Sequence, residues 1–393
     1  MLLDDIRVID LTVARAGPTC VRQLADWGAD VVRVEIPSDP SKPNTVGGQR
    51  HGSDEQFVHR NKRSLGLDLS TEEGRSVLHR LVGGADVLVE NMRPGVKARL
   101  GFDWDTVHAL NPRLVMGSIS GFGQDGPYAD RGGVDQITQG MSGLMSVTGP
   151  PGEGPVRAGI PVSDLSAGLY LAIGLLAALH DRSRTGEGRW VQTSLLESML
   201  SMMDFQAARW TVDREVPPQE GNHHPTLIPM GCFESADGHI NVAGPSGRMW
   251  RNFCDAIGRS DLPDDERFAT GGGRSRRRGE LNGIIADVLR TRTTSEWIEV
   301  FAAAGVPAGP VYTLDQVFDD PQIHHLDMTA TVTHPSLGSL ELLRHPVTMS
   351  GPDGRGMTVR EHTPDPGEHT DTVLIELGYT PDDVAGLRAR GVV

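Results

Sequence analysis

Asp164 stands in Ala158-Gly-Ile-Pro-Val-Ser-Asp-Leu-Ser-Ala-Gly168, just ahead of a long apolar run. A carboxylate in that place has two uses. It can cap a helix by accepting backbone N–H groups that the first turn leaves unpaired. It can also be a nucleophile, because an aspartate with an ordinary pKa of about 3.9 is ionised at neutral pH and attacks an activated acyl carbon without a separate base. Gly159 and Gly168 permit close approach of another backbone, and the free N–H groups of a helix start can hold a developing oxyanion. Two groups of cations accompany it: Arg60, Lys62 and Arg63 in one polar stretch, and Arg93, Lys97 and Arg99 after the apolar run at 87–89. Such clusters suit phosphate or carboxylate ligands, and the plain alternative is a solvated charged face. His223 and His224 are adjacent and lack spaced carboxylates, a poor pattern for metal ligation, so no metal site is expected.

Apolar periodicity places these residues at the ends of regular elements. Short β-branched runs at 6–11, 31–36, 87–89 and 114–119 alternate with amphipathic stretches, the pattern of buried parallel strands in an open α/β sheet. Ligands of such sheets bind beyond the carboxyl ends of the strands, which singles out the loops after Leu11, Ile36 and Val89. Ser70-Thr-Glu-Glu73 has capping-box spacing, is followed by Val77, Leu78, Leu81 and Val82 at helical intervals, and Gly83-Gly84 stops the helix. An all-round apolar helix follows Asp164, and 190–195 is strand-like. Pro217, Pro218 and Pro225 then break the pattern. The expected organisation is a large α/β domain over 1–205 completed by 335–393, a linker at 206–224, and a smaller domain over 225–330. The smaller domain holds a strand at 238–243 and helices near 249–257, 280–290 and 295–304.

Composition excludes several partners. The formal net charge of −15 argues against nucleic acid and membrane surfaces, both polyanions, so any anionic ligand must meet a local basic patch. Cys20, Cys232 and Cys254 form neither a disulfide framework nor a zinc pattern and read as reduced cytoplasmic thiols. No secretory signal pattern is visible in the first residues, where Asp4 and Asp5 stand. The apolar stretch at 165–179 is shorter than the roughly 20 residues a bilayer requires and reads as a core helix.

Further segments carry a family likeness: Asp10-Leu-Thr-Val-Ala-Arg-Ala-Gly-Pro18, Arg60-Asn-Lys-Arg-Ser-Leu-Gly-Leu-Asp68, Val89-Glu-Asn-Met-Arg-Pro-Gly95, the run from Gly126-Pro-Tyr to Gly143, and Gly305-Val-Pro-Ala-Gly-Pro-Val311. Together with the Asp164 segment they resemble the family III CoA-transferases. The resemblance implies a Rossmann-like, open parallel-sheet large domain with a smaller α/β domain, in an interlocked homodimer. It implies that Asp164 is the nucleophile in CoA transfer between an acyl-CoA and a small carboxylic acid, with no metal or other cofactor. By the same resemblance Lys62, Leu67, Asn91, Met92 and Arg99 approach CoA. Arg15 takes the place of a glutamine near the acyl group of formyl-transferring members; a guanidinium there suits a second substrate carboxylate. Asp135 and Gln136 are candidates for orienting substrate, with a structural role in the segment 132–143 as the alternative, and His224 lies in a stretch that resembles a family loop closing over the acyl site, with a plain polar loop as the alternative.

Three other readings compete. Racemases of the family carry a histidine where Val134 stands here, and valine cannot shuttle a proton. A dinucleotide-binding oxidoreductase needs a Gly-x-Gly-x-x-Gly turn after the first strand, which Thr12-Val-Ala-Arg-Ala-Gly17 does not supply. A non-catalytic CoA-binding protein has no reason to retain Asp164.

Overall fold

In the computed structural model the described residues are 1–37, 51–350 and 359–393. They form two compact units, the first comprising Met1–Leu144, Arg157–Asp213 and Asp327–Val393 and the second Met145–Val156 and Arg214–Leu326. The first unit therefore continues to Asp213 through a helix, Asp204–Asp213, where a linker was expected. Met145–Val156, expected within the large domain, packs with the second unit because Gln219 donates to the carbonyls of Thr148 and Gly154 at 2.6 and 2.7 Å.

The first unit is built on six parallel strands: β1 (Arg7–Asp10), β2 (Asp30–Glu35), β3 (Arg63–Gly66), β4 (Val87–Glu90), β5 (Val115–Ser120) and β6 (Trp190–Ser194). Their order is β3-β2-β1-β4-β5-β6, so the winding reverses between β1 and β4. Every residue of β4 and β5 is buried, as in sheets covered on both faces. On one face Leu65, Leu78, Leu88, Phe102 and Met116 meet Val373, Leu374 and Leu387 of the C-terminal helices. The opposite face carries the helices Ala16–Asp26 and Val162–Thr185. A Cβ on Gly168 would fall 2.6 Å from the Ala16 carbonyl, so this glycine lets the two helices touch through their backbones. The second helix has 24 residues and is long and apolar enough to cross a membrane, yet one side of it is committed to β5, β6 and the neighbouring helix.

β3 arises from the stretch read as a cation cluster. Two of its three cations are internal: Arg60 pairs with Asp26 at 2.6 Å, and Lys62 pairs with Asp10 at 2.8 Å with neither side chain exposed. Asp10 also accepts the Thr12 N–H at 2.9 Å, which ties the turn after β1. Lys62 is thus part of the fold and presents no ammonium to a phosphate, correcting the expectation. Leu67 is likewise core, 1% exposed. Thr71, one residue later than the spacing suggested, caps the helix Glu72–Gly83 by accepting the Gly74 N–H.

In the second unit β7 (Met230–Glu234), β8 (His239–Ala243) and β9 (Ala308–Pro310) form an antiparallel sheet. The helices Gly247–Ala256, Arg278–Leu289 and Thr294–Ala304 pack against it through Trp250, Phe253, Ile285, Trp297 and Phe301.

Removing one member of a buried ion pair leaves the other charge uncompensated, at about 3–5 kcal/mol. Lys62→Met is therefore expected to lower the urea midpoint strongly with the slope unchanged. A variant of wild-type stability whose only defect is weak CoA binding would return Lys62 to the ligand.

Candidate active site

At the carboxyl edge of the first unit's sheet lies a cleft of about 120 Å³ lined by Arg15, Asn91, Ser120, Gly121, Val134 and Asp164, among others. Its walls follow β1, β4 and β5, the place where an open sheet that reverses its winding leaves a crevice. Asn91 closes the gap between the first two loops: its side chain accepts the Val13 N–H at 2.9 Å and donates to the Val13 carbonyl at 2.7 Å. The loop carrying Arg15 is thereby pinned to the end of β4. Gly121 and Gly133 cross so closely that a Cβ on Gly121 would lie 2.6 Å from the Gly133 Cα, so side chains are excluded where these two segments meet.

Asp164 is not a cap. The helix Val162–Thr185 begins two residues before it, with Pro161 at the N-cap position and no capping side chain of its own. The cap comes from the helix Asp135–Met141, whose Asp135 carboxylate accepts the Ser163 N–H at 2.9 Å. Val162 and Leu165 donate to the carbonyls of Ile160 and Pro161. Among the described residues this leaves both the Asp164 N–H and the Asp164 carboxylate without a hydrogen bond. Burial pushes the Asp164 carboxyl up to about 6, and the like charge of Asp135 adds to the rise while Arg15 opposes it. The free ionisation expected of an ordinary aspartate is thus corrected: Asp164 titrates just below neutral pH.

Asp135 is committed elsewhere than to substrate. It is 7% exposed, and besides the Ser163 N–H it accepts from Gln139 at 2.7 Å and from Arg157 at 3.1 Å. Gln139 in turn accepts the Ala158 N–H at 3.0 Å, fixing the approach to the Asp164 helix. Gln139, one helical turn after Asp135, and Arg157 were missed by sequence reasoning, although the four-residue spacing of Asp135 and Gln139 is a legible helix-face pair. Gln136 is exposed and is not part of the cleft lining. Arg15 lies in the cleft and pairs with Asp54.

Of the other candidates, Asn91 is in the cleft and Met92 follows it, packed against the core with its N–H on Glu90 at 2.8 Å. Lys97 is buried on Glu90 at 3.1 Å, whereas Arg93 and Arg99 are exposed on and beside the helix Pro94–Leu100. His224 belongs to the second unit, where it lines a cavity of about 590 Å³ with His223, Met230 and Asn241. Its Nδ1 accepts the Leu227 N–H at 3.0 Å, and burial, seconded by Arg278, lowers its pKa. In the first unit, the side chains of His51 and Asp365 meet at 2.9 Å beside His334, which has potential metal-ligand geometry. The Nδ1 of His334, however, accepts backbone N–H groups from Ser336 and Leu337, so its neutral ring carries the proton on Nε2 and has no lone pair there for a cation.

The profile described as CoA-transferase family III matches residues 3–370, and the chain belongs to that family. It is 34% identical to the succinyl-CoA–D-citramalate CoA-transferase of Chloroflexus aurantiacus, over 100% of this chain and 98% of the relative. It is 38% identical to the succinyl-CoA:mesaconate CoA-transferase of Haloarcula hispanica, over 92% and 94% of the two chains. The human succinyl-CoA:glutarate CoA-transferase is 30% identical, over 100% of this chain and 90% of its own length. Among solved structures, a CaiB/BaiF family protein of Brucella suis superposes with a TM-score of 0.81 at 32% identity, covering 95% of this chain and 98% of that one. The protein is an acyl-CoA:carboxylate CoA-transferase that moves CoA between a thioester and a free acid.

A carboxyl whose folded pKa is raised opposes folding once it ionises. The penalty is absent below the unfolded pKa, grows as pH rises from about 4 to 6, and is constant above. Asp164→Asn is therefore expected to gain about 1–3 kcal/mol of stability at neutral pH and little near pH 4. Thermal melts at the two pH values check the sign: equal gains at both would contradict it.

Proposed function

We propose that Asp164 is the nucleophile of the transfer and that the enzyme acts on dicarboxylic acyl groups. The observation that carries the first part is the unpaired Asp164 carboxylate in the cleft beside its own free N–H. Its Oδ attacks the thioester carbonyl carbon of the donor, the C–S bond breaks, and an acyl–aspartyl anhydride and CoA thiolate result. The thiolate attacks the aspartyl carbonyl of the anhydride, releasing the donor carboxylate and forming an aspartyl-CoA thioester. An acceptor carboxylate attacks that thioester to give a second anhydride and thiolate. The thiolate then attacks the acceptor's acyl carbon, yielding the new acyl-CoA and free Asp164. Each tetrahedral step develops an oxyanion, and the N–H groups of a helix start stabilise such charge.

Arg93 and Arg99, exposed at the edge of the sheet, serve the CoA phosphates, while Asn91 and Met92 shape the passage to Asp164. Lys62 and Leu67 support this region from beneath. Val134 offers no proton-transfer group in the cleft, which supports CoA transfer over racemisation.

Arg15 supports the dicarboxylate reading. Arg15 lines the same cleft as Asp164, and its guanidinium is held by Asp54, whose side chain is 61% exposed and so makes a weak, displaceable pair. A distal substrate carboxylate exchanges with Asp54. Succinyl-CoA is the donor in the names of several relatives, which fits an acyl group of this length. A second copy of the chain is proposed to cover the apolar face formed by Leu169, Ile173, Leu176, Leu200, Phe205 and Trp210, all exposed in the single chain.

Incubation with succinyl-CoA followed by hydroxylamine is expected to mark Asp164 as a hydroxamate in peptide mass maps, and Asp164→Asn to abolish both label and exchange. Full exchange by the asparagine variant, free of deamidation, would end the nucleophile reading. Arg15→Gln is expected to lower kcat/KM for succinyl-CoA about tenfold or more while sparing acetyl-CoA, since a charged hydrogen bond contributes about 1.5–3 kcal/mol. Equal losses for both donors would remove Arg15 from the selection of diacids.

A further inference from the structure

We propose that Asp135 is the positioning residue of this site: from a neighbouring helix it caps the helix that carries Asp164 and holds a fixed negative charge beside the Asp164 carboxyl. The proposal rests on Asp164 being the reacting group and goes beyond it, because it assigns a role to a residue that does not face the cleft.

Two contributions of Asp135 are separable in the geometry. The first is mechanical. The Asp164 helix starts at Val162 without a capping side chain of its own, and an orphan N–H at such an end stabilises the helix when it is satisfied. Asp135 supplies the acceptor to Ser163, immediately before Asp164, at 2.9 Å. The orientation of that acceptor is fixed in turn, since its other oxygen takes Gln139 at 2.7 Å and Arg157 at 3.1 Å. Gln139 closes the loop through the Ala158 N–H at 3.0 Å. Five residues thus clamp the turn that aims one carboxylate.

The second contribution is electrostatic. Charged groups on every element packed against the Asp164 helix decide what it feels. β5 and β6 carry no charged side chain within their spans. Glu197, on the following helix, accepts the Ser194 hydroxyl at 2.7 Å. Arg15, at the start of the helix Ala16–Asp26, lowers the affinity of Asp164 for a proton, and Asp135 raises it. Arg15 is itself paired with Asp54, and Asp135 with Arg157. Arg157 is 40% exposed and its screening of Asp135 is accordingly incomplete. A more basic carboxylate is a stronger nucleophile once ionised, so Asp135 trades a higher ionisation pH for reactivity above it.

Asp135→Asn keeps an acceptor for the Ser163 N–H and removes the charge, whereas Asp135→Ala removes both. The readout independent of turnover is carbodiimide labelling of the Asp164 peptide across pH, which follows the protonated carboxyl and is quantified by mass mapping on the intact enzyme. Both variants are expected to move the labelling midpoint down by on the order of half to one pH unit, leaving it above the ordinary aspartate value because burial persists. The acid limb of kcat/KM for succinyl-CoA, with glutarate as acceptor, moves the same way. The alanine variant is expected to lose a further tenfold to roughly a hundredfold in kcat at pH of about 8 relative to the asparagine variant, with KM little changed, because a misaimed group costs turnover more than binding. A merely structural Asp135 would weaken both variants and leave the midpoint where it is in the wild type, which overturns the electrostatic half. Equal kcat for the two variants overturns the mechanical half. If the alanine variant does not fold, the asparagine midpoint and acid limb still decide the electrostatic half, and the melting temperature of the asparagine variant relative to wild type shows whether the cap survives. Exchange by Asp164→Asn would instead strike at the nucleophile reading and leave the labelling result intact.

Discussion

An aspartate carboxylate that accepts no hydrogen bond, half-buried in a cleft with a guanidinium nearby, is an unstable arrangement unless the surrounding charges are already occupied. Here they are. Arg15 is held by Asp54, and Asp135 by Arg157. Arg15, paired with Asp54, still lowers the Asp164 pKa, but burial and the like charge of Asp135 outweigh it. The cap position that the sequence neighbourhood suggests for Asp164 is filled from elsewhere, because Asp135 satisfies the Ser163 N–H. Reactivity at Asp164 is therefore a property of what its neighbours are bound to.

The sheet supplies the frame for this. Winding that reverses between β1 and β4 splays the two following loops apart, and a crevice opens between them. Asn91 ties those loops through the peptide of Val13, and the Asp10–Lys62 pair anchors the turn from below. Direct backbone contact at Gly168 sets the depth at which the Asp164 helix meets the Arg15 helix. Arg15 and Asp164 sit in one cleft because the loop and both helices are fixed independently of any ligand.

Much of this was legible beforehand, and the failures have physical causes. Four of the six strands of the sheet were visible as β-branched runs and the sixth as strand-like, whereas β3 was hidden because its polar first residues read as a charged surface. Lys62 and Arg60 looked like phosphate ligands because spacing reveals that a cation is present and not that an aspartate 52 or 34 positions away lies opposite it. For Asp135 the sequence left a substrate contact and a structural role open for the same reason: its partner amide is 28 residues further on. The segment 145–156 was assigned to the wrong unit because its attachment runs through Gln219, 71 residues later at the farthest contact.

What the amino-acid sequence determined by itself was local: strand and helix periodicity, the apolar helix behind Asp164, the glycines that permit close approach, and the family motifs in their order. Those features follow from neighbours within a few residues, where the covalent chain does the placing. Tertiary structure alone decided which charges face one another, and so which carboxylate caps, which cations are spent inside the core, and that burial raises the Asp164 carboxyl to about 6. Burial and pairing are properties of groups brought together from distant positions, and no spacing along the chain encodes them directly.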